Sequence, residues 1–289
     1  MNFINPPMTN RPYADLHIHS FYSDGSMSPE EIIQAAVANG VGVLAIADHD
    51  LIQGSILAQK LCHNNGIHYI PAVEIGTLDN GVNFHILAYG FDIHNAMFRD
   101  FLSHTRFMLD ERSVKLIERM QADYPDFSFE DFDRFAYDRR LGGWKALHYF
   151  MAKGLISSLM EGIQFYPKYG VGFSSAGFST IAATAYRVKC AGGYSVLAHP
   201  GETIDTSDIS KFKQELKRMI SYGLDGIECY YPSHSEAVTQ ACLDICNKHD
   251  LLITVGSDCH GTFSKPRRVG EMNIHIDQLK LKNLLKNKY

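Results

Sequence analysis

At 289 residues, 45% hydrophobic and 20% charged, the chain has room for one large α/β domain or for one domain carrying a sizeable insertion, and is too apolar to be disordered. A formal net charge of −5 excludes a general nucleic-acid binder. No apolar run approaches the ~20 residues that cross a bilayer, the first residues lack the basic and apolar blocks of a secretion signal, and the six scattered cysteines contain no C-x-x-C, so a reducing cytoplasm without disulfides is expected.

Ala14–Ser20 reads as a strand that places His17 and His19 on one face, because strand side chains alternate with period 2, and Asp24 follows in the loop. Ser28-Pro29-Glu30-Glu31 starts a helix that stops at Gly40. The apolar run Val41–Ala47 is a buried strand ending in Asp48-His49-Asp50, as in a parallel sheet covered on both faces. A helix over Gln53–Asn64 precedes a strand over Ile67–Ile75 that carries Glu74, and Asn80-Gly81 turns the chain into a hairpin strand, Val82–Tyr89, with His85. Near residue 95 the pattern changes, and Leu102, Leu109, Leu116 and Met120 mark a long amphipathic helix. Residues 99–186 read as a helical insertion rich in aromatic residues, whose Gly170–Gly177 loop lacks the strand and helix context of a dinucleotide fingerprint. Alternation then resumes, with strands ending at His199, near Glu228, and at Ser257-Asp258-Cys259-His260.

The repeated event is an apolar strand with ligand-type residues at its C-terminal end, where β/α barrels build active sites. His17, His19, Asp24, His49, Glu74, His85, His199, Asp258 and His260 make up that set. Any one buried histidine is ordinarily a core residue bonded to backbone, but their recurrence at successive strand ends points to metal. Six imidazoles and three carboxylates without a thiolate suit manganese, zinc or iron better than calcium or magnesium, and nine donors suit two or three divalent ions. Three such ions against three carboxylates leave roughly +3, which matches a phosphate dianion with a bridging hydroxide.

The strings His17-x-His19, Ala47-Asp48-His49-Asp50, Ala198-His199-Pro200-Gly201 and Gly256-Ser257-Asp258-Cys259-His260 resemble the four signature motifs of the PHP (polymerase and histidinol phosphatase) family. The resemblance implies a distorted (β/α)7 TIM-like barrel, the PHP fold, over residues 11–98 and 187–289, with the 99–186 insertion capping the substrate. It also implies three ligand sets: His17, His19, Glu74 and Asp258; Glu74, His85 and His199; and Asp24, His49 and His260. The chain looks most like the stand-alone phosphoesterases that act on 3′,5′-bisphosphate nucleotides and on short 5′-phosphorylated RNA. It departs from them at Gly143-Trp144-Lys145, where they commonly show Arg-x-His.

The expected activity is metal-dependent hydrolysis of a phosphate ester of a nucleotide or another small phosphorylated metabolite, with no membrane and no stable nucleic-acid complex. A 5′-3′ exonuclease on short 5′-phosphorylated oligonucleotides and a non-catalytic metal-stabilised module are the alternatives; an amidohydrolase fits less well. His234 is the candidate leaving-group acid or substrate contact. Asp48 is a candidate catalytic residue through orienting an imidazole. Arg267 or Arg268 is a candidate phosphate clamp, only one of the pair facing inward. Trp144 and Lys145 are candidates for stacking a base and holding a phosphate, although such residues are more often the core of a helical subdomain.

Overall fold

Several strands form on short, largely apolar runs, such as Val41–Leu44 and Leu252–Val255, and the ligand-type residues follow a few positions past their ends. The computed structural model describes residues 12–286; residue 11 and residues 287–289 of the expected barrel segments lie outside the described residues. β1 (Tyr13–Asp15), β2 (Val41–Leu44) and β3 (His68–Tyr69) pair in parallel in that order. A second sheet takes β4 (Ala72–Asp79), β5 (Val82–Tyr89), β6 (Tyr194–Leu197), β7 (Gly226–Tyr230) and β8 (Leu252–Val255) in chain order. The expected single strand over 67–75 is divided at Pro71, which has no N–H to give a ladder. The β4–β5 hairpin turns at Asn80-Gly81, both at positive φ (49° and 79°), as a two-residue turn requires.

The fold is α/β as expected, but the pairing does not run as one closed ladder. β5 is antiparallel to both β4 and β6, and only β6, β7 and β8 continue in parallel. Short bridges join the two sheets beyond the strand ends. Leu16 N–H donates to Val255 O (3.0 Å) and Asp258 N–H to His17 O (2.8 Å), while Asp50 N–H reaches Glu74 O (2.9 Å). These bridges bring the ligand-bearing strand ends to one place.

Helices cover the outer faces. α1 (Pro29–Ala38) begins with a Ser28–Glu31 capping box and packs with α2 (Gln53–Asn64) over the first sheet. α3 (Ala96–Met120) spans two cores. Its early residues Phe98, Phe101 and Leu102 pack with Val73, Ile75 and Ala88 of the sheet. Leu116, Ile117 and Met120 instead pack with Phe127, Phe132, Tyr149 and Phe150, the aromatic core of the insertion, which also holds α4 (Phe129–Arg134), α5 (Lys145–Ala152) and α6 (Phe165–Lys168). α7 (Ile181–Cys190) packs on β4, β5 and β6, so both ends of the 99–186 segment are rooted in the sheet layer. α8 (Pro200–Thr203), α9 (Ile209–Ile220) and α10 (Glu236–His249) complete the set. No helix among the described residues is long and apolar enough to cross a membrane.

The insertion is also tied down beside the ligand loop. Gly143 N–H donates to Asp24 O (2.7 Å), and Arg140 pairs with Glu31 (2.6 Å). Gly142 has φ 69°, and a Cβ there would lie 2.4 Å from Phe263 Cβ, so this close approach requires glycine.

Candidate metal centre

Leu16 and Ile18 are fully buried in the core, which turns His17 and His19 to the opposite face, their Nε2 atoms 3.1 Å apart. Glu74, from β4, is the hub. Its Oε2 lies 3.2 Å from His17 Nε2, 3.1 Å from His19 Nε2 and 3.2 Å from His49 Nδ1. Its Oε1 lies 2.8 Å from His85 Nδ1 and 3.0 Å from His199 Nε2. Asp258 Oδ1 stands 3.2 Å from His19 Nε2. Asp24 completes the cluster, with Oδ1 3.5 Å from His19 Nδ1 and Oδ2 3.4 Å from His260 Nε2. All nine strand-end candidates are therefore brought together.

Grouped by donor atoms within 4.8 Å, they fall into His19–Asp24–His49–His260, His17–His19–Asp258 and His49–Glu74–His85. His19 and His49 each belong to two of these groups and His199 to none, which differs from the three sets the resemblance implies.

The donor set fits divalent metal ions. The buried atoms His19 Nδ1 and His85 Nδ1 have no hydrogen-bond partner although they lie 3.5 Å from Asp24 and 2.8 Å from Glu74, whereas His199 turns its Nε2 to Glu74. Lone pairs that converge at such distances without forming hydrogen bonds are disposed toward a shared cation. The electrostatics agree. Burial disfavours a charged His19, yet Asp258 and Glu74 outweigh it and raise its pKa to about 10. Burial likewise opposes the Glu74 carboxylate, but His85, His17 and His49 hold its pKa well below the usual range. The carboxylates thus favour a positive His19, while burial lowers the pKa of His49 in the same cluster to about 3. His199 (φ 27°) and Asp258 (φ 52°) sit in the left-handed backbone region, local strain of a kind that gathers at functional sites.

The surrounding residues correct several expectations. Asp48 orients no imidazole by hydrogen bonding. Its buried carboxylate accepts from Ser20 N–H (2.7 Å), Ser20 Oγ (2.6 Å) and Ser23 Oγ (2.6 Å), fixing the loop that carries Asp24. The carboxylate that does orient a ring is Glu228, with Oε1 3.0 Å from His17 Nδ1 and Oε2 accepting from His199 N–H (2.8 Å). His234 is committed to backbone, with Nδ1 3.1 Å from Cys229 O and Nε2 accepting from Gly201 N–H (3.1 Å), and burial lowers its pKa. No proton donor for a leaving group remains on that ring.

Arg267 does face inward, but onto the protein. Its Nη1 donates to Asp258 Oδ2 (2.8 Å) and Tyr231 OH (2.7 Å), while Arg268 is exposed. Lys145 Nζ donates to Asp133 O (2.8 Å), away from the cluster. Trp144 lies at the site, its ring centroid 5.7 Å from that of His49. Glu228 had a sequence signal, a carboxylate inside an apolar strand; Tyr231, which donates to Asp258 Oδ2 (2.7 Å), had none.

Above the cluster opens a cavity of about 690 Å³. Asp24, His49 and His85 form its floor, and the insertion supplies a wall of Leu109, Trp144, Leu147, Ile163, Tyr166 and Phe173. The volume suits a small molecule, and the apolar wall suits a flat or apolar body.

The PHP domain family matches residues 15–222. The chain is 29% identical over 266 residues to the phosphoribosyl 1,2-cyclic phosphate 1,2-diphosphodiesterase of Eggerthella lenta, covering 89% of this chain and 97% of that protein. It is 30% identical over 260 residues to a 5′-3′ exoribonuclease of Haemophilus influenzae, covering 85% and 89%. With the 3′,5′-nucleoside bisphosphate phosphatase of Chromobacterium violaceum it shares 25% identity over 262 residues, covering 89% and 90%. A crystal structure from Bifidobacterium adolescentis superposes with a TM-score of 0.72 at 27% identity, covering 92% of each chain.

Proposed function

The chain belongs to the PHP-domain family and is a metal-dependent phosphoesterase, and on that premise we propose that it hydrolyses a phosphomonoester of a nucleotide, such as a 3′,5′-bisphosphate, or of a similarly small metabolite. The observation that carries this reading is the cavity, in which metal-ligand side chains and an aromatic, apolar wall share about 690 Å³. Two or three manganese, zinc or iron ions would be held by His17, His19, Glu74 and Asp258, by Glu74, His85 and His199, and by Asp24, His49 and His260. When bound, such ions supply an activated water and neutralise charge on the phosphate.

The chain's own residues do the rest. Glu228 fixes the His17 ring, leaving Nε2 to the cluster, and Arg267 with Tyr231 holds Asp258 by Oδ2 so that Oδ1 faces the imidazoles. Trp144 offers a platform for a base beside His49, and the apolar wall excludes bulk water.

One observation favours the exonuclease reading as a second choice. A smaller cavity of about 260 Å³ shares Ser113 and Trp144 with the first and gathers Arg106, Arg139 and Lys145, although Asp110 and Asp133 offset their charge. The test is phosphate release by manganese-loaded protein from adenosine 3′,5′-bisphosphate, histidinol phosphate and a 5′-phosphorylated oligonucleotide. Release from the bisphosphate is expected. Stepwise mononucleotide production from the oligonucleotide without release from either small ester would replace the proposal with the exonuclease.

A further inference from the structure

The wall of the cavity carries a cation that hydrolysis at the floor does not use. Arg112, on the apolar stripe of α3 between Leu109 and Leu116, is 6% exposed and lines the cavity. Its Nε donates to Val171 O (3.2 Å), and its guanidinium carbon lies 3.7 Å from the Phe173 ring centroid and 4.8 Å from that of Tyr166. Among the described residues no carboxylate pairs with it, and neither Nη nitrogen has a hydrogen-bond partner. A buried charge without a counter-charge is costly, and one carbonyl with two ring faces offsets only part of that cost. The rings do fix the guanidinium plane, which leaves its Nη edge as a preformed fork for an oxyanion. Among the described residues that line this cavity Arg112 is the one arginine or lysine, so one anion beyond the scissile phosphate is what the wall can take.

We propose that Arg112 binds a second phosphate of the substrate, carried on the leaving-group side, while the phosphate to be cleaved lies at the metal cluster. This rests on the phosphomonoesterase reading of the site. Arg112 is then a specificity residue that acts in binding and takes no part in bond breaking.

The experiment measures kcat and KM of the metal-loaded enzyme for adenosine 3′,5′-bisphosphate and for whichever adenosine monophosphate, 3′ or 5′, it hydrolyses faster. The native protein is expected to prefer the bisphosphate in kcat/KM by about 10- to 100-fold, mostly through KM. In Arg112→Gln that preference falls to about twofold or less, and Arg112→Lys, which keeps the charge but loses the fork, lies between. Arg112→Lys decides alone if Arg112→Gln does not fold. Equal losses on both substrates, or an unchanged ratio, would overturn the proposal. If neither ester is hydrolysed, the phosphomonoesterase reading fails on its own. The uncleaved ligands are then titrated against the fluorescence of Trp144, the sole tryptophan, which lines the same cavity. A bisphosphate affinity advantage that Arg112→Gln removes supports the second-phosphate site, and one that survives overturns it.

Discussion

The floor and the wall of the cavity are built by opposite means. On the floor, side chains from strand ends far apart in sequence converge within about 3–4 Å, and outer groups such as Glu228 and Arg267 fix the orientation of His17 and Asp258. The wall is one side of a helical subdomain that keeps an aromatic core of its own, and it offers shape, one stacked cation and few polar atoms. A reaction on phosphate needs donors placed to fractions of an ångström, whereas selecting an ester needs only a fitting surface. The floor thus gathers the donors, and the wall shapes the space in front of them.

Variants on the two sides should separate these roles. The largest effect is expected from Glu74→Ala, which removes the carboxylate shared by five imidazoles. Activity should fall by more than about 100-fold, beyond the usual loss for an outer-shell change, with bound metal reduced by elemental analysis; full metal content and activity would detach Glu74 from the centre. Glu228→Gln should cost about 10- to 100-fold in kcat/KM by freeing the His17 ring, with weaker metal retention on dialysis against a chelator. Trp144→Ala tests the wall. It should raise KM for a nucleotide about 5- to 100-fold, the range expected of one stacked base, at unchanged metal content; a loss of metal would place Trp144 with the floor instead.

The smallest effect lies outside the cavity. Hydrogen bonds from Arg218, and then from Tyr222, hold the Asp79 carboxyl below its usual range. A depressed acid contributes stability above its unfolded pKa, near 3.9, and loses it as pH falls through the folded value. Thermal melts at pH 6 and pH 3 should therefore differ less for Asp79→Asn than for the native chain.

Much of the floor was legible because its donors come in short strings just past strand ends, where alternation already puts His17 and His19 on one face; Asp258 instead reaches the cluster from a left-handed backbone. What those residues touch was not legible. That Arg267 grips Asp258 rather than a substrate depends on how the loop after β8 folds back on itself, and that His234 is held by Gly201 and Cys229 depends on chain following β6 meeting chain at the end of β7. Asp48 stands next to a ligand, yet its hydroxyl partners lie 28 and 25 residues away. Trp144 and Lys145 are adjacent but part company at the start of α5, one beside His49 and the other toward Asp133. The antiparallel course of β4, β5 and β6 had only its first turn written in sequence, at Asn80-Gly81. Arg112 did leave a trace, as a cation on a leucine stripe, where solvent-facing charge does not belong.

α3 has a mechanical consequence. Its 25 residues run roughly 37 Å at 1.5 Å per residue. The first turns are clamped in the sheet core and the last turns anchor the aromatic subdomain, which makes the helix a beam rather than a tether. A subdomain carried on such a beam, pinned again at Gly143 to Asp24 and returning to the sheet through α7, has no single loop hinge about which to swing. The space over the cluster is thus bounded by a subdomain fixed at α3, at α7 and at Gly143, a framework rather than a flap.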